Sequence, residues 1–211
     1  CRSDPCVFVR SSSPLLIVGI YVDDGIIVAE REEDLSATMT ALALKFKMSS
    51  CTLGLFLGME ITRSGDGTIK LSQRMYTEKL LEQYRMSSAH PVSTPCISNP
   101  SDSVVSLKNG AFPYREAIGS LLYLACLTRP DITYAVGLVS RYQENPTQEN
   151  VEMVKRIMRY LRGTMGAKLT YEAGGNLELS IYSDSDHAGD HTDRKSTSGY
   201  ACLLGQRIIS W

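Results

Sequence analysis

The sequence predicts a mixed α/β protein of the α+β type, with β-hairpins first, helices in the centre and short strands at the end. Short apolar runs separated by Asp, Gly and Ser indicate the strands, and apolar residues spaced three and four apart indicate the helices. The 211 residues are 43% apolar, which is enough to build a core. No apolar run approaches the roughly 20 residues of a membrane helix, so no membrane span is predicted.

Two adjacent aspartates are predicted at the turn of the first hairpin. The apolar runs Leu15 to Tyr21 and Ile26 to Ala29 flank Val22-Asp23-Asp24-Gly25, and Asp-Gly between such runs is typical of a tight turn. Neighbouring residues of a flat strand face opposite sides, so a sharp turn is one way to bring both carboxylates together. Mg²⁺ prefers such oxygen ligands and keeps substrate phosphates in its other positions. A metal site and an ordinary solvated hairpin tip both fit this pattern.

A helix and a second hairpin are predicted next. An acidic first turn at Glu32 and an apolar stripe that reaches Phe46 indicate the helix. Apolar runs from Leu55 to Thr62 and from Thr68 to Leu71, on either side of a Gly-rich turn, indicate the hairpin. Ser72 is then expected to cap a further helix.

A loop divides these elements from a helical stretch. Residues 87–110 are rich in Ser, Pro and Asn and are predicted to form that loop. Three helices follow, one near Pro113, one at Arg129-Pro130-Asp131 and one from Thr147 to Arg162. Pro and Asp in a first turn are ordinary helix-start chemistry, so the second of these sites is assigned to structure. Short strands are predicted again between Lys168 and Trp211.

The balance of charge and the cysteines give weaker indications. The formal net charge is −1, whereas a dedicated nucleic-acid-binding domain is usually strongly basic. One helix carries a basic stripe, Lys155, Arg156, Arg159 and Arg162, which is either a solvated face or a surface that tracks phosphates. Six scattered cysteines without a Cys-x-x-Cys pair favour a reduced, intracellular compartment, with Cys126 packed as a small hydrophobe.

Several short blocks follow one another in the order of a known family. Tyr21-Val22-Asp23-Asp24 is similar to the catalytic motif of reverse transcriptases, and Asp4 to Phe8 is similar to the copia-type approach to it. The later blocks resemble a primer-gripping hairpin with the start of a thumb, and then thumb and connection helices: Phe56 to Ile61, Leu71 to Gln73, Gly119 to Leu124 and Thr128 to Ile132. Together the blocks resemble the reverse transcriptase of copia-type retrotransposons.

The end of the chain resembles a second domain of the same polyprotein. Tyr182 to Asp186 and Ser196 to Tyr200 are similar to the first strand and following hairpin of the linked ribonuclease H domain. The resemblance implies a partial palm with the primer-gripping hairpin over 1–72, a helical thumb and connection over 73–165, and truncated ribonuclease H-like strands over 166–211.

Site residues, cofactor and partners are carried over from the same resemblance. It implies that Asp23 and Asp24 are catalytic metal ligands, that Tyr21 and Val22 contact the nucleotide and primer end, and that Asp184 is a ribonuclease H metal ligand. The implied cofactor is Mg²⁺ or Mn²⁺. The implied substrates are an RNA template, a DNA primer and deoxynucleotides, and the implied partner is the remainder of a Pol polyprotein. The implied setting is the cytoplasm, in a virus-like particle, or the nucleus, and not a secreted one.

The resemblance also implies that this chain does not hold a whole active site. Copia-type polymerases take a third palm carboxylate and their fingers from segments that precede the catalytic motif. Their ribonuclease H domains take further carboxylates from segments after the first strands. RNA-directed DNA synthesis is therefore the lineage function, with negligible activity expected of the chain alone. The alternative is a non-catalytic retroelement remnant that acts as a nucleic-acid-binding or interaction module.

Overall fold

The computed structural model of the chain describes residues 1–97, 112–189 and 194–211. The chain divides into two compact units, Cys1–Leu57 and Gly58–Trp211. Helices and antiparallel sheets occur together, which confirms the predicted α/β class. Of the loop predicted over 87–110, the part from residue 98 onward lies outside the described residues. Within the described stretches, every helix is too short or too polar to cross a membrane.

The first unit is a three-stranded antiparallel sheet followed by a helix and a short strand. The sheet has the order β1-β2-β3. These elements are β1 (Val7–Arg10), β2 (Leu16–Tyr21), β3 (Asp24–Ala29), α1 (Glu32–Ala43) and β4 (Leu55–Phe56). The sequence pattern does not predict β1, because a run of 4 residues is too short to display a period. All residues of this unit are described, and none of them is buried.

Helix α1 is shorter than its apolar pattern predicts. It ends at Ala43, so Phe46 lies beyond the helix and is exposed. None of its residues, all of them described, is buried, and a helix without a buried face gains little from another turn. Its first turn is held by Arg10 of β1, whose guanidinium lies 2.9 Å from the Asp34 carboxylate. The hydrogen bond and charge of Arg10 hold the pKa of Asp34 below its usual range.

The second unit contains two antiparallel sheets among its described residues. In one, β5 (Met59–Arg63), β6 (Ile69–Ser72) and β7 (Leu169–Tyr171) are neighbours in that order. In the other, the order is β10-β9-β8, formed by β8 (Leu179–Ser185), β9 (Ser198–Leu204) and β10 (Arg207–Ser210). The second predicted hairpin is thus confirmed as β5–β6. Strand β7 pairs with β6, which lies far earlier in the chain, and not with the strand that follows it.

Helices supply the core of the second unit. Those that the structure describes are α2 (Arg74–Gln83), α3 (Tyr114–Leu127), α4 (Thr133–Ser140) and α5 (Gln148–Gly163), with a 3-10 turn at Pro130–Ile132. The apolar stripes predicted for the last three are buried, so these helices are confirmed, except that Leu122, predicted on the stripe of α3, is exposed. Thr147 caps α5 through a reciprocal capping box with Asn150. Cys126, expected in the core, is exposed because it shares the outer face of α3 with Leu122, four residues earlier.

The start of α2 is held by Glu60 and not by Ser72, so the predicted cap is wrong. Gln73 is the N-cap residue and makes no side-chain cap hydrogen bond. The Ser72 hydroxyl instead donates to the Glu60 carboxylate at 3.0 Å, and the Met75 backbone N–H donates to the same carboxylate at 2.6 Å. An acidic group suits the positive end of a helix, so Glu60 of β5 takes the capping role from the neighbouring strand.

Leu121 and Leu122 are adjacent on α3 and form a matched pair for testing the core. Leu121 is 0% exposed and Leu122 is 38% exposed. Leu121→Ala leaves a cavity and is expected to lower the free energy of unfolding by about 3 kcal/mol, whereas Leu122→Ala lowers it by less than about 1 kcal/mol. Urea unfolding followed by Trp211 fluorescence measures both, because the Trp211 indole donates to the Ala125 carbonyl of α3 at 2.7 Å. Equal losses of unfolding free energy in the two variants would contradict the assignment of Leu121 to the core and Leu122 to the surface.

Candidate active site

The β2–β3 hairpin presents the two adjacent aspartates at a two-residue turn. Tyr21 pairs directly with Asp24, and Ile20 pairs with Gly25, so Val22 and Asp23 alone form the tip. The hairpin is confirmed, but the turn lies earlier than the Asp-Gly signal predicts. Asp24 and Gly25 belong to β3 because the ladder continues up to Tyr21.

Val22 has a backbone conformation that its residue type disfavours. Its φ angle is 51°, in the left-handed region. A two-residue hairpin turn requires a positive φ at its first central position, where Gly is the usual residue. A β-branched residue there is strained by roughly 1–2 kcal/mol. Backbone strain of this kind clusters at functional sites, and here it lies next to both candidate catalytic aspartates.

The carboxylates of Asp23 and Asp24 are exposed and make no hydrogen bond or ion pair with any residue that the structure describes. Two other described aspartates are engaged by neighbouring residues. Asp66, at the tip of the β5–β6 hairpin, accepts the Thr68 backbone N–H at 2.9 Å, and that hydrogen bond lowers the pKa of the Asp66 carboxyl. Asp34 is paired with Arg10. The β2–β3 turn therefore leaves its oxygen ligands available for something outside the described chain.

The donor set at this turn fits a hard divalent cation in part. Asp23 lies in the tip and Asp24 begins β3, so Asp23 stands outside the strand alternation that sets neighbouring residues on opposite faces. Carboxylate oxygens are what Mg²⁺ takes from proteins, usually one or two of them together with substrate phosphates. Across residues 1–97, 112–189 and 194–211, no three His, Cys, Asp or Glu side chains gather into a metal-binding group. At this turn, therefore, the described residues bring no third potential ligand to the two aspartates.

Asp184, the third candidate metal ligand, lies in the second unit. It is near the end of β8, where it pairs with Gly199 of β9, and its exposed carboxylate accepts the Ser185 backbone N–H at 2.9 Å. The neighbouring Asp186 has a structural task, because its carboxylate accepts the Thr197 backbone N–H at 2.9 Å and so ties the end of β8 to the approach of β9. Both carboxylates are exposed, but only that of Asp186 links the two strands.

The Arg129-Pro130-Asp131 segment is structural, as its sequence indicates. Arg129 is 4% exposed, and two of its nitrogens donate to the Asp131 carboxylate at 2.9 and 2.7 Å. It also donates to the Thr164 hydroxyl at 2.6 Å, and the Tyr160 hydroxyl donates to Asp131 at 2.8 Å. These contacts join the Pro130–Ile132 turn to the end of α5, and the exposed Asp131 carboxylate is already engaged by Arg129 and Tyr160.

Comparison with known proteins identifies the family. The family model described as "Reverse transcriptase (RNA-dependent DNA polymerase)" matches residues 3–98, which include the β2–β3 hairpin. The chain is 40% identical, over 99% of its length, to the retrovirus-related Pol polyprotein from transposon TNT 1-94 of Nicotiana tabacum. It spans 17% of the length of that polyprotein.

Shorter relatives are covered more fully. A putative transposon Ty5-1 protein of Saccharomyces cerevisiae is 32% identical over 97% of this chain, which covers 67% of that protein. An uncharacterised mitochondrial protein of Arabidopsis thaliana is 34% identical over 91% of the chain, which covers 80% of it. No solved structure matches the chain. The chain therefore belongs to the reverse transcriptase family of transposon Pol polyproteins.

The strain at Val22 predicts that glycine is better tolerated there than elsewhere in the hairpin. Val22→Gly removes the steric penalty at φ 51° and is expected to stabilise the hairpin by about 0.5–1 kcal/mol. Val28→Gly, at an exposed β3 position with ordinary strand geometry, is the matched control and is expected to destabilise it by a similar amount. Native-state hydrogen exchange of the β2–β3 amides measures both. Faster amide exchange in both variants would contradict the backbone strain assigned to Val22.

The Arg129–Asp131 pair predicts a defined pH dependence of stability. Burial by itself raises the pKa of Asp131, but the hydrogen bonds and charge of Arg129, with the Tyr160 hydroxyl, outweigh it and leave the pKa lowered. The folded pKa lies below the unfolded value of roughly 3.9, so the carboxylate stabilises the protein above that pH and loses its effect as the pH falls through the folded pKa.

Asp131→Asn is therefore expected to lower the free energy of unfolding by about 2 kcal/mol at neutral pH, because Arg129 stays buried without its counter-charge. The difference from the unsubstituted protein is expected to shrink below the folded pKa. Urea unfolding across acid and neutral pH measures it. Glu78→Gln, which breaks an exposed pair with Arg74, is the control and is expected to cost less than about 0.5 kcal/mol. A loss that does not vary with pH would contradict this account.

Proposed function

We propose that the chain is the part of a copia-type retrotransposon reverse transcriptase that carries its catalytic aspartates. The observation that supports this most directly is the β2–β3 turn. Asp23 lies in a strained two-residue tip and Asp24 follows it at the start of β3, inside the stretch that matches the reverse transcriptase family. Their carboxylates are unengaged by the described residues, in contrast to Asp34 and Asp66.

In this proposal Asp23 and Asp24 bind Mg²⁺ or Mn²⁺ through their carboxylate oxygens. The bound cation supplies the charge that activates a primer hydroxyl and neutralises nucleotide phosphates. Tyr21 and Val22 directly precede the aspartates and are exposed, which suits contact with the primer end and the incoming deoxynucleotide. The reaction is nucleotidyl transfer in DNA synthesis from an RNA template, in which the remainder of a Pol polyprotein contributes the other ligands.

The three-part domain division is proposed on the same grounds. Residues 166–211 are the proposed ribonuclease H-like strands, and the antiparallel pairing of β8, β9 and β10 is in keeping with this. Asp184 is the proposed first ligand of that domain, with its exposed carboxylate near the end of β8. The proposed setting is intracellular, in a virus-like particle of the cytoplasm or in the nucleus.

Negligible polymerase activity is proposed for the 211 residues alone, because the resemblance implies a third palm carboxylate and no described residue supplies one beside Asp23 and Asp24. The second candidate is a non-catalytic remnant that binds nucleic acid. A row of arginines on α5, described below, favours it as an activity that does not require a complete metal site.

The Asp23–Asp24 turn predicts a site-specific response to Mn²⁺. Titration of Mn²⁺ is expected to broaden the backbone amide NMR signals of Val22 to Gly25 before others, because the paramagnetic ion binds at their carboxylates. Asp23→Asn with Asp24→Asn is expected to abolish that broadening. Asp66→Asn is the matched control, since Asp66 also occupies a hairpin tip but uses its carboxylate on the Thr68 N–H. Broadening centred elsewhere, or kept in the double variant, would count against the proposed site.

A primer-extension assay with Mg²⁺ or Mn²⁺ separates the site from the activity. The chain and its double Asn variant are both expected to give extension no greater than a protein-free blank. Robust extension that the two substitutions abolish would support the catalytic aspartates and contradict the proposed inactivity of the chain alone. Extension unaffected by the substitutions would contradict the assignment of Asp23 and Asp24.

A further inference from the structure

The arginines of the α5 basic stripe hold a neighbouring segment of the chain. Residues 87–94, called the strap from here on, run along α5 in the opposite direction to the helix. Three hydrogen bonds fix them: Arg162 Nε to the Ser87 carbonyl at 2.8 Å, Arg159 Nε to the His90 carbonyl at 2.7 Å, and Arg156 to the Thr94 hydroxyl at 2.9 Å. The stripe is therefore not a freely solvated face, and its guanidinium groups have fixed positions.

Each of these anchors uses only part of a guanidinium. Arg159 and Arg162 donate through Nε, and their terminal amino groups make no hydrogen bond with described residues. Arg156 donates through one terminal amino group, and its buried Nε has no partner among the described residues. A guanidinium anchored at Nε still presents two terminal N–H groups in a rigid fork, which matches two oxygens of a phosphate. The strap thus orients donors that remain unused.

The strap and the C-terminal part of α5 carry basic side chains and no acidic ones. Neither the strap nor α5 beyond Glu152 contains an Asp or Glu, and Glu152 is already paired with Lys155 at 3.0 Å. None of the three arginines forms an ion pair with a carboxylate in the described parts of the chain. The chain as a whole has a net charge of −1, so this is a local concentration and not a general property. An anion is the chemical complement of such a surface.

We propose that Arg156, Arg159 and Arg162, held by the strap, bind the phosphate backbone of a nucleic acid without reading its sequence. Residues three apart on a helix rise by roughly 4.5 Å, so the row spans about 9 Å. One strand of a nucleic acid carries a phosphate about every 3.4 Å along its axis, so the row meets two or three successive phosphates. The strap lowers the entropy cost of binding because it already holds the long side chains. The site lies within the second unit and needs no metal at Asp23 and Asp24.

Fluorescence anisotropy with a labelled single-stranded oligonucleotide tests the row over about 50 to 200 mM salt. Three phosphate contacts are expected to give a slope of log affinity against log salt near −2, and Arg159→Gln with Arg162→Gln is expected to bring it to about −0.7. The affinity is expected to fall at least tenfold. Removal of divalent cations with EDTA is expected to leave binding unchanged, because the row needs no metal at Asp23 and Asp24, and this separates the proposal from the polymerase assignment.

Arg74→Gln with Arg115→Gln is the matched control. It removes the same charge from the same unit, and Arg115 also donates its Nε to a backbone carbonyl, that of Gln143. The control is expected to lower affinity by less than threefold. Equal losses in the two double variants, or no binding of the unsubstituted chain at low salt, would overturn the proposal. Displacement of the oligonucleotide by polyglutamate of equal charge would also overturn it, in favour of an acidic protein partner.

A second measurement avoids substitutions in case the Arg159 and Arg162 variant fails to fold, as judged by Trp211 fluorescence. Phenylglyoxal modifies accessible arginines, and mass spectrometry locates the modified sites. The oligonucleotide is expected to protect Arg156, Arg159 and Arg162 severalfold and to leave Arg74 and Arg115 unprotected. Unchanged modification of the row with bound oligonucleotide would overturn the proposal.

Discussion

Burial of the apolar stripes of α3, α4 and α5 against one another is the interaction on which the second unit depends. The residues of this core are almost fully excluded from solvent, and each methylene group that is buried away from water contributes to stability. The chain enters this core from β6 and leaves it at β7, and these two strands pair with each other. Core formation therefore also closes a sheet between distant segments. Both the Arg129–Asp131 pair and the strap arginines are attached to helices that this core fixes.

The first unit follows a different principle. None of the residues of Cys1–Leu57 is buried, so strand pairing and the Arg10–Asp34 contact carry its order. The register of β2 and β3 fixes the position of Asp23 and Asp24 through backbone hydrogen bonds, which do not depend on side-chain packing. The same register imposes the positive φ on Val22. This turn is costly for a β-branched residue, and no described residue binds either carboxylate. Backbone strain of this kind clusters at functional sites, which supports an external ligand for the two carboxylates.

Sequence patterns predict the helices and hairpins, which depend on neighbouring residues, but they do not predict contacts between segments distant in sequence. The stripes of α3 to α5 and both early hairpins follow from periodicity and turn residues, and they are present. The sequence pattern does not predict the partner of β7, because its pairing with β6 depends on the helices between them. The predicted Ser72 cap is also wrong because of a contact between residues distant in sequence. Glu60, on a strand beside the helix, accepts the hydrogen bond at the helix N-terminus. Residue type alone also does not distinguish Asp24 from Asp66, because both are aspartates near a hairpin turn. Only the structure shows that the Thr68 backbone N–H donates to Asp66.

The arginines of the second unit illustrate how a structure assigns one residue type to two tasks. Arg129 is buried and donates from all three of its nitrogens, to Asp131 and to Thr164, so four of its five N–H donors are used. Arg159 and Arg162 each donate once, from Nε, and keep their terminal forks unengaged by described residues. Unused hydrogen-bonding capacity on a fixed cation is costly only if it is shielded from water, and these groups are not fully buried. Fixed, charged and unsatisfied donors are what a phosphate-binding surface requires, and α5 supplies them on the face that its core does not occupy.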